Sequence, residues 1–407
     1  MAGTLKVADT IESAGFPLAF KVAQGTARNP LLGLSDTQDT LKVEVRAMGG
    51  HQKECVVTDG AAGSAWRMVS DEGAGLNGSD LAPFPLGFMS GGLQAELQGR
   101  IMGLAQARGI PVRSLRTGLV NRYAFEGSFF RGTGIGSALA PVFRVGIESP
   151  ATPAHVRALV QAAASASPLL AAVRSSLDNT FALYVNGQRR TPLRVLPSTH
   201  ADAPDPLKAW KGVPQPLAGA EALADIVAKL APPPPATGPV RPPMTPDADV
   251  RYSIEIHGES VWQDGITASQ TWAERPQGSR FGIKSDERAG ADTAPSGLAL
   301  AAAGVAFCLM TQLLRYSDFR KYQIRAVRLV QYWPMQLVPA AGGASSGEGA
   351  LTGRSGNLDT HVFLHGEETD ENMGHLLLSA ANTCYLHAML GAALEPQIGL
   401  ELNGAPI

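Results

Sequence analysis

The feature that most constrains the fold of this chain is an internal repeat. The segment SDEGAG at 70–75 returns as SDERAG at 285–290, 215 positions further along. After both copies comes a proline-containing loop and then a long apolar helix pattern, at 85–108 and at 296–321. Solenoid repeats run to about 20–50 residues, so a period this long indicates two copies of one domain.

The repeat continues beyond the long helices. Strand patterns follow in both halves, and then a second helix pattern at 155–172 and at 373–390. Each half closes with a strand that ends in Asn-Gly, at 186–187 or at 403–404. Helices that lie between runs of strands are typical of an α+β fold. Because the long helices are apolar on nearly all sides, we expect them in the centre of the molecule, covered by both halves.

A proline-rich stretch separates the two halves. The sixteen residues at 231–246 include eight prolines, which exclude a helix or a central strand and favour an extended linker. A short helical pattern precedes them at 216–230. We therefore divide the chain into a first domain at 1–190, a linker with a short helix at 191–247 and a second domain at 248–407.

Charge and cysteine content exclude several function classes. With 34 Lys and Arg against 36 Asp and Glu, the chain lacks the basic surface that binds nucleic acid. Three cysteines do not make a disulfide framework, which favours a reducing cytoplasm, and the N-terminal residues do not read as a signal peptide. The uncharged run at 297–314 is mostly Ala and Gly, so we expect a buried core helix and no membrane span.

The order of these elements resembles the OsmC/Ohr superfamily. Asp286 and Glu287 precede a proline-containing loop at 294–298, which leads into an Ala-rich helix that bears Cys308. Cys384 follows on the second helix. The resemblance covers about 45–190 and 250–407, and it lies in the order and spacing of elements more than in one motif.

The first repeat carries the same resemblance without the thiols. Residues 107–112 are similar to the family's helix end, and 164–169 look like its second cysteine site with serine in place of cysteine. No cysteine occurs from 56 to 307, and the matching regions hold Ser90–Gln94 and Ser167. We expect this repeat to be a degenerate copy that completes the interface and binds ligand.

The resemblance implies an architecture. Members of the superfamily are usually short chains that form intertwined homodimers around two long central helices. For this chain it implies two tandem OsmC-like domains that form an intramolecular pseudo-dimer, with antiparallel sheets around the central helices. Fusion of the subunits makes their assembly intramolecular, so we expect a monomer.

The resemblance also implies a reaction. Cys308 matches the peroxidatic cysteine, which attacks a hydroperoxide and becomes a sulfenic acid, and Cys384 matches the cysteine that condenses with it. A thiol reductant then reopens the disulfide. The apolar surroundings predict a hydrophobic organic hydroperoxide as substrate. Cys55 lies in a strand pattern, and we expect a structural role for it.

A buried thiol needs a nearby cation to lower its pKa. The family uses an arginine that is held by a glutamate, yet the helix start at 296–300 contains no glutamate. Arg280 and Arg288 are the candidate cations, with Glu287 as their orienting carboxylate. Arg67 of the first repeat is a further candidate that would reach across.

Two alternatives to peroxidase activity stay open. One is a different thiol-dependent conversion of a small molecule in the same pocket, and the other is a non-catalytic protein that binds hydrophobic ligands. We expect no cofactor and no metal, because the histidines at 361, 365 and 375 follow no recognised ligand spacing. The glycine-rich segment at 132–136 predicts a hairpin turn rather than a phosphate loop.

Overall fold

The computed structural model describes residues 9–26, 39–60, 63–129, 131–208, 213–232, 252–275, 277–288, 290–340 and 351–407. Most of the predicted proline linker, from 233 onward, lies outside these ranges. The described residues form an α+β structure, as the sequence predicts.

The first half contributes strands and helices in the predicted order. Its helices are α1 (Ile11–Ala14), α2 (Pro85–Ala107), α3 (Pro153–Ser165) and α4 (Pro168–Arg174). Its strands are β1 (Ala19–Ala23), β2 (Asp39–Ala47), β3 (Lys53–Thr58), β4 (Ala65–Ser70), β5 (Ser114–Glu126), β6 (Ile135–Ala138), β7 (Val142–Glu148), β8 (Asn179–Val185) and β9 (Gln188–Arg190). The segment at 132–136 lies in the turn between β5 and β6, which pair as a hairpin.

The second half repeats this order. Its helices are α5 (Gly297–Arg320), α6 (Asp370–Thr383) and α7 (Tyr385–Gly391). Its strands are β11 (Tyr252–Gln263), β12 (Ile266–Arg275), β13 (Arg280–Asp286), β14 (Ile324–Pro339), β15 (Leu351–Ser355), β16 (Leu358–Gly366), β17 (Gln397–Leu402) and β18 (Ala405–Pro406), and β10 (Val227–Ala231) precedes them.

The two halves exchange strands. One sheet has the order β1-β4-β3-β2-β14-β16-β8-β9, with β15 paired to β14. The other has the order β10-β13-β12-β11-β5-β7-β17-β18, with β6 paired to β5. In each sheet, one half of the chain supplies a meander and a closing hairpin, and the other half supplies two central strands between them. Neither half therefore completes a sheet alone.

The sheets differ in one respect from the antiparallel sheets that the resemblance implies. Strand β8 runs parallel to β16, and β17 runs parallel to β7, so both sheets are mixed. Each of these pairs joins strands from opposite halves. No hairpin turn connects either pair, so the connection leaves the parallel direction possible.

The long helices α2 and α5 cross at a pair of glycines. A Cβ on Gly92 would lie 2.5 Å from the carbonyl oxygen of Gly297. A Cβ on Gly304 would lie 2.9 Å from the carbonyl oxygen of Pro85. Two backbones can approach this closely only where side chains are missing. The contacts are reciprocal and fix the relative register of the two helices.

Burial explains why both helices are apolar all round. Every residue of α5 from Gly297 to Leu314 is buried, and so is every residue of α2 from Pro85 to Ile101. Helix α5 is long and apolar enough to cross a membrane by composition, but its apolar window is entirely enclosed. This burial agrees with the expected core helix.

Two sequence predictions need correction. The second helix patterns are not continuous: each breaks into two, at Ser167 before Pro168 and at Cys384. The breaks arise because Ser167 and Cys384 have extended backbones, which start new helices as N-caps. The prediction of a short helix at 216–230 is also wrong, since these residues form turns and then the edge strand β10. Strand β10 pairs with β13, and this pairing overrides the local helical pattern.

Candidate active site

The two predicted site cysteines come together in the structure. Cys308 lies in the middle of α5, and Cys384 is the N-cap residue that separates α6 from α7. Both are buried free thiols, 3% and 0% exposed, and they are close enough to interact directly. The break in the second helix places Cys384 at the start of α7, which packs against α5.

The surroundings keep the thiol of Cys384 protonated. Burial raises its pKa well above the usual range, and the adjacent Cys308 raises it further. The backbone amides of His387 and Leu386 act in the opposite direction, but neither makes a cap hydrogen bond. Desolvation dominates, because a thiolate loses its hydration inside an apolar core.

Aromatic rings form one side of the site. Tyr123 of β5 is buried, its hydroxyl donates to Met389 Sδ at 3.9 Å, and its ring lies 5.7 Å from that of Tyr385. Burial and then the nearby Cys308 and Cys384 raise the pKa of Tyr123. The phenol is thus a neutral neighbour of the thiols, and it comes from the first half of the chain.

A histidine that the sequence analysis did not single out contacts the thiol pair. The Nδ1 atom of His387 lies 3.1 Å from Cys384 Sγ. The ring is 3% exposed, and burial lowers its pKa to about 3, so it is neutral at physiological pH. The available signal was the Cys-x-x-His spacing at the start of a helix, since residues three apart share a helix face.

His387 also lines a cavity of about 470 Å³. Its Nε2 atom is buried without a hydrogen-bond partner, and so is Oδ1 of Asn179, another lining residue. The cavity lies between α6, α7, β6 and the segment after β9, and its wall includes Phe181, Leu196 and Asn382. His387 thus contacts Cys384 through Nδ1 and also lines the cavity.

The predicted arginines have other partners. Arg280 on β13 stacks its guanidinium 3.9 Å above the ring of Trp272, and it donates to Gln270. Arg288 forms a two-pronged ion pair with Asp286, at 2.9 and 2.8 Å. Neither contact involves a cysteine, so the structure does not bring these cations to Cys308.

Arg67 is also engaged elsewhere. It donates from Nε to Glu54 Oε2 at 2.8 Å within the first sheet, and there it lies near Cys55. Burial raises the pKa of Cys55 well above its usual range. A fully enclosed thiol in a strand fits the structural role expected for Cys55.

Glu287 belongs to a different buried cluster. Its carboxylate accepts hydrogen bonds from the Ser285 hydroxyl and the Gly297 amide at the start of α5. The pKa of Glu287 is raised to about 7: burial is the main cause and the nearby Glu96 of α2 adds to it, while those hydrogen bonds and Arg100 act in the opposite direction. It therefore faces the first half of the chain, away from the role predicted for it beside Cys308.

This cluster is the first half's counterpart of the thiol site. Gly92 of α2 and Gly304 of α5 occupy equivalent positions at the helix crossing. Glu96 and Cys308 each lie four residues further along, so Glu96 of α2 corresponds to Cys308 of α5. Ser167, the N-cap of α4, corresponds to Cys384 and donates its hydroxyl to Glu96. Arg100 completes the cluster with an ion pair to Glu96 at 2.7 Å. The sequence predicts Ser167 as the counterpart of Cys384, but it places the counterpart of Cys308 at 90–94, about one helical turn before Glu96.

Comparison with known proteins adds little. No protein-family profile matches the chain, and no curated protein is similar to it. One similar solved structure is an OsmC-like hydroperoxide resistance protein from Jannaschia sp. CCS1, with 19% sequence identity and a TM-score of 0.25. The match covers 38% of this chain and 96% of that one. A likeness of this size does not assign a family, and the function has to be inferred from the site.

Proposed function

We propose that this protein is a thiol-dependent, peroxidase-like redox protein that reduces organic hydroperoxides with Cys308 and Cys384. The observation that carries the proposal is the proximity of two free, buried thiols, one in α5 and one at the start of α7, inside an apolar core and next to a histidine that lines a cavity. Neighbouring thiols can be oxidised to a disulfide, which a thiol reductant reopens. Structural cysteines do not need such a partner.

The reaction takes place in two steps. The sulfur of Cys308 attacks the distal oxygen of the hydroperoxide, the O–O bond breaks, and the alkoxide leaves as an alcohol after it takes up a proton. Cys384 then attacks the sulfenic sulfur, a disulfide forms, and the hydroxyl leaves as water. An external dithiol or two monothiols reduce the disulfide and restore both sulfhydryl groups.

The surroundings of the site support a hydrophobic substrate. Apolar and aromatic side chains enclose the thiols, and no ion pair of the described residues includes either cysteine. An apolar lining adds no binding free energy for a small polar oxidant such as hydrogen peroxide. An alkyl or aryl group gains binding free energy of about 25 cal/mol per Å² of apolar surface that it buries. The partners proposed are thus a hydrophobic hydroperoxide and a thiol reductant.

We also propose the architecture that this function requires. Residues 1–190 and 248–407 are two OsmC-like repeats, joined by the linker at 191–247, and they act as an intramolecular pseudo-dimer in a single chain. The strand exchange between halves and the reciprocal contacts of Gly92 and Gly304 support it. Free cysteines suit a reducing cytoplasm, which is the proposed location.

One feature favours a second candidate, a different thiol-dependent conversion. Cys384 contacts His387 at 3.1 Å, while Arg280 and Arg288 bind other groups. A cysteine with an adjacent histidine is also the arrangement of nucleophilic catalysis on acyl or similar carbon centres. A non-catalytic protein that binds hydrophobic ligands would instead leave both thiols unchanged during any reaction.

Treatment of the reduced protein with one equivalent of cumene hydroperoxide tests the proposal. Intact mass should fall by two hydrogens, and peptide mapping should identify a Cys308–Cys384 disulfide. Cys308→Ser and Cys384→Ser should both abolish this loss. Cys55→Ser is the matched control, a buried cysteine in the other sheet, and should react like the unmodified protein. Thiols that survive the treatment unchanged in the unmodified protein would refute the peroxidase assignment.

A further inference from the structure

We propose that His387 is the catalytic base of the thiol pair, which carries the Cys384 proton to the adjacent cavity when the disulfide forms. The inference rests on the proposed redox role of Cys308 and Cys384 and assigns the residue that moves the proton. The geometry on which it stands is a ring with Nδ1 at the reacting sulfur and with a second, unpaired nitrogen, in a residue that also lines the cavity.

The need for such a residue follows from the enclosure of the site. Cys384 is fully buried, so its proton has no direct route to solvent when the sulfur attacks Cys308. The titratable groups around it are Cys308 from α5, Tyr123 from β5 and His387 from α7. The hydroxyl of Tyr123 is directed to Met389 Sδ and not to the sulfur of Cys384. His387 can accept the proton, because its Nδ1 atom lies 3.1 Å from the sulfur of Cys384.

The ring is held in the orientation that a relay requires. It stacks on Phe181 with ring centroids 5.5 Å apart, and Asn179 donates to the backbone carbonyl of His387 at 3.0 Å. Nδ1 has a partner in Cys384, whereas Nε2 is buried without a hydrogen-bond partner. A buried polar atom without a partner costs free energy unless a ligand or solvent satisfies it.

A neutral imidazole can pass the proton without becoming charged. As the Cys384 sulfur bonds to the Cys308 sulfur, the bond from Cys308 to its leaving group breaks. The Cys384 proton moves to Nδ1, and Nε2 releases its own proton toward the cavity. Solvent there carries a proton to the departing hydroxide, which leaves as water. The ring changes tautomer and stays neutral, so its low pKa does not oppose the transfer.

The rate of disulfide formation tests the relay. Reduced protein is mixed with diamide, an azo compound that accepts the two electrons and two protons of a dithiol without any hydroperoxide chemistry. Samples are quenched with N-ethylmaleimide and the disulfide is quantified by mass. His387→Ala should slow its formation on the order of a hundredfold, the lower range for loss of a general base. His257→Ala, which removes a half-buried histidine of β11 that contacts Glu255 and Trp272, is the control and should not slow it.

Imidazole rescue separates a proton relay from a structural role. The Ala variant opens the cavity toward Cys384, and added imidazole should restore most of the rate in that variant alone. His387→Gln keeps the volume but cannot relay a proton, so it should be slow and should not be rescued. A folded Ala or Gln variant that reacts at the normal rate, or an Ala variant that imidazole does not rescue, would overturn the inference. Because diamide replaces the hydroperoxide, failure of the peroxidase proposal alone leaves these results intact.

Discussion

The thiol of Cys384 is governed by desolvation. It lies in an apolar core with a neutral imidazole and a neutral phenol as neighbours, and burial outweighs the backbone dipoles that favour its thiolate. A sulfhydryl in such surroundings reacts only if its proton leaves together with bond formation. The sequence predicts Arg280 and Arg288 as cations of the thiol site, but Arg280 binds a residue of the adjacent strand and Arg288 binds a close neighbour in sequence. Their actual partners, Trp272 and Asp286, were not predictable from residue type alone.

Glu287 is the residue for which pH should change stability most clearly. Its pKa in the folded protein is raised to about 7 from 4.5, so folding favours the protonated form. The free energy of unfolding should fall as pH rises from about 4.5 to about 7, by up to about 3 kcal/mol. Glu287→Gln keeps the acceptor oxygen and removes the charge. It should therefore be more stable than the unmodified protein at pH 8 and gain little at pH 4.5.

Urea unfolding of both proteins across this pH range measures the effect. Glu367→Gln, at an exposed carboxylate paired with Arg325, provides the control. Parallel stability profiles for Glu287→Gln and the unmodified protein would contradict the assignment.

At the level of elements, the crossing of α2 and α5 determines where every site residue lies. The register set by Gly92 and Gly304 places Cys308 beside Cys384, and it places Glu96 beside Ser167 on the opposite side. The sequence predicted both helices within one or two residues, because long apolar periodic segments are strong signals. It did not predict their mutual register, since that depends on the closest approach of two backbones.

Gly92→Ala should test this crossing. The added methyl would lie 2.5 Å from a backbone oxygen and 2.7 Å from a backbone nitrogen of α5, and neither can move away without shifting the helix. We expect a loss of about 1–3 kcal/mol in the free energy of unfolding, the range for an overpacked core. Denaturant unfolding followed by circular dichroism gives the value.

The control for this substitution is Gly146→Ala in β7, where a Cβ would have no neighbour within 4 Å. It should leave stability nearly unchanged. An equal and small effect at both glycines would mean that the helices do not approach as closely as the geometry requires.

At the scale of the whole molecule, the halves interlock through their sheets. Strands β14 and β16 continue the sheet that β2, β3 and β4 begin, and β5 and β7 do the same in the other sheet. Nearly all apolar side chains of both halves join one continuous core around α2 and α5. Two halves that share sheets and core in this way do not act as independent domains.

Cleavage of the linker should therefore leave the halves together. A specific protease site placed within 233–250 would cut the chain between β10 and β11. We expect the fragments to co-elute in size-exclusion chromatography at the position of the uncut protein, because separation would expose the core and unpair central strands. They should separate only in denaturant. Fragments that come apart in native buffer would contradict the strand exchange.

The sequence by itself determined what repeats and local patterns encode. These are the duplicated order of elements, the two long and largely apolar helices, the absence of cysteine from the first copy's matching positions, and the placement of Cys308 on the long helix and of Cys384 within the second helical segment. Periodicity and order along the chain carry this information, because secondary structure responds mainly to neighbours in sequence. The pairing of strands across the halves, and the contact of His387 with Cys384 while Arg280 and Arg288 bind other groups, were decided only by the tertiary structure. It also decided that Glu96 occupies the counterpart of the Cys308 position. Those outcomes depend on backbone approach and burial between segments far apart in the chain, which no local pattern records.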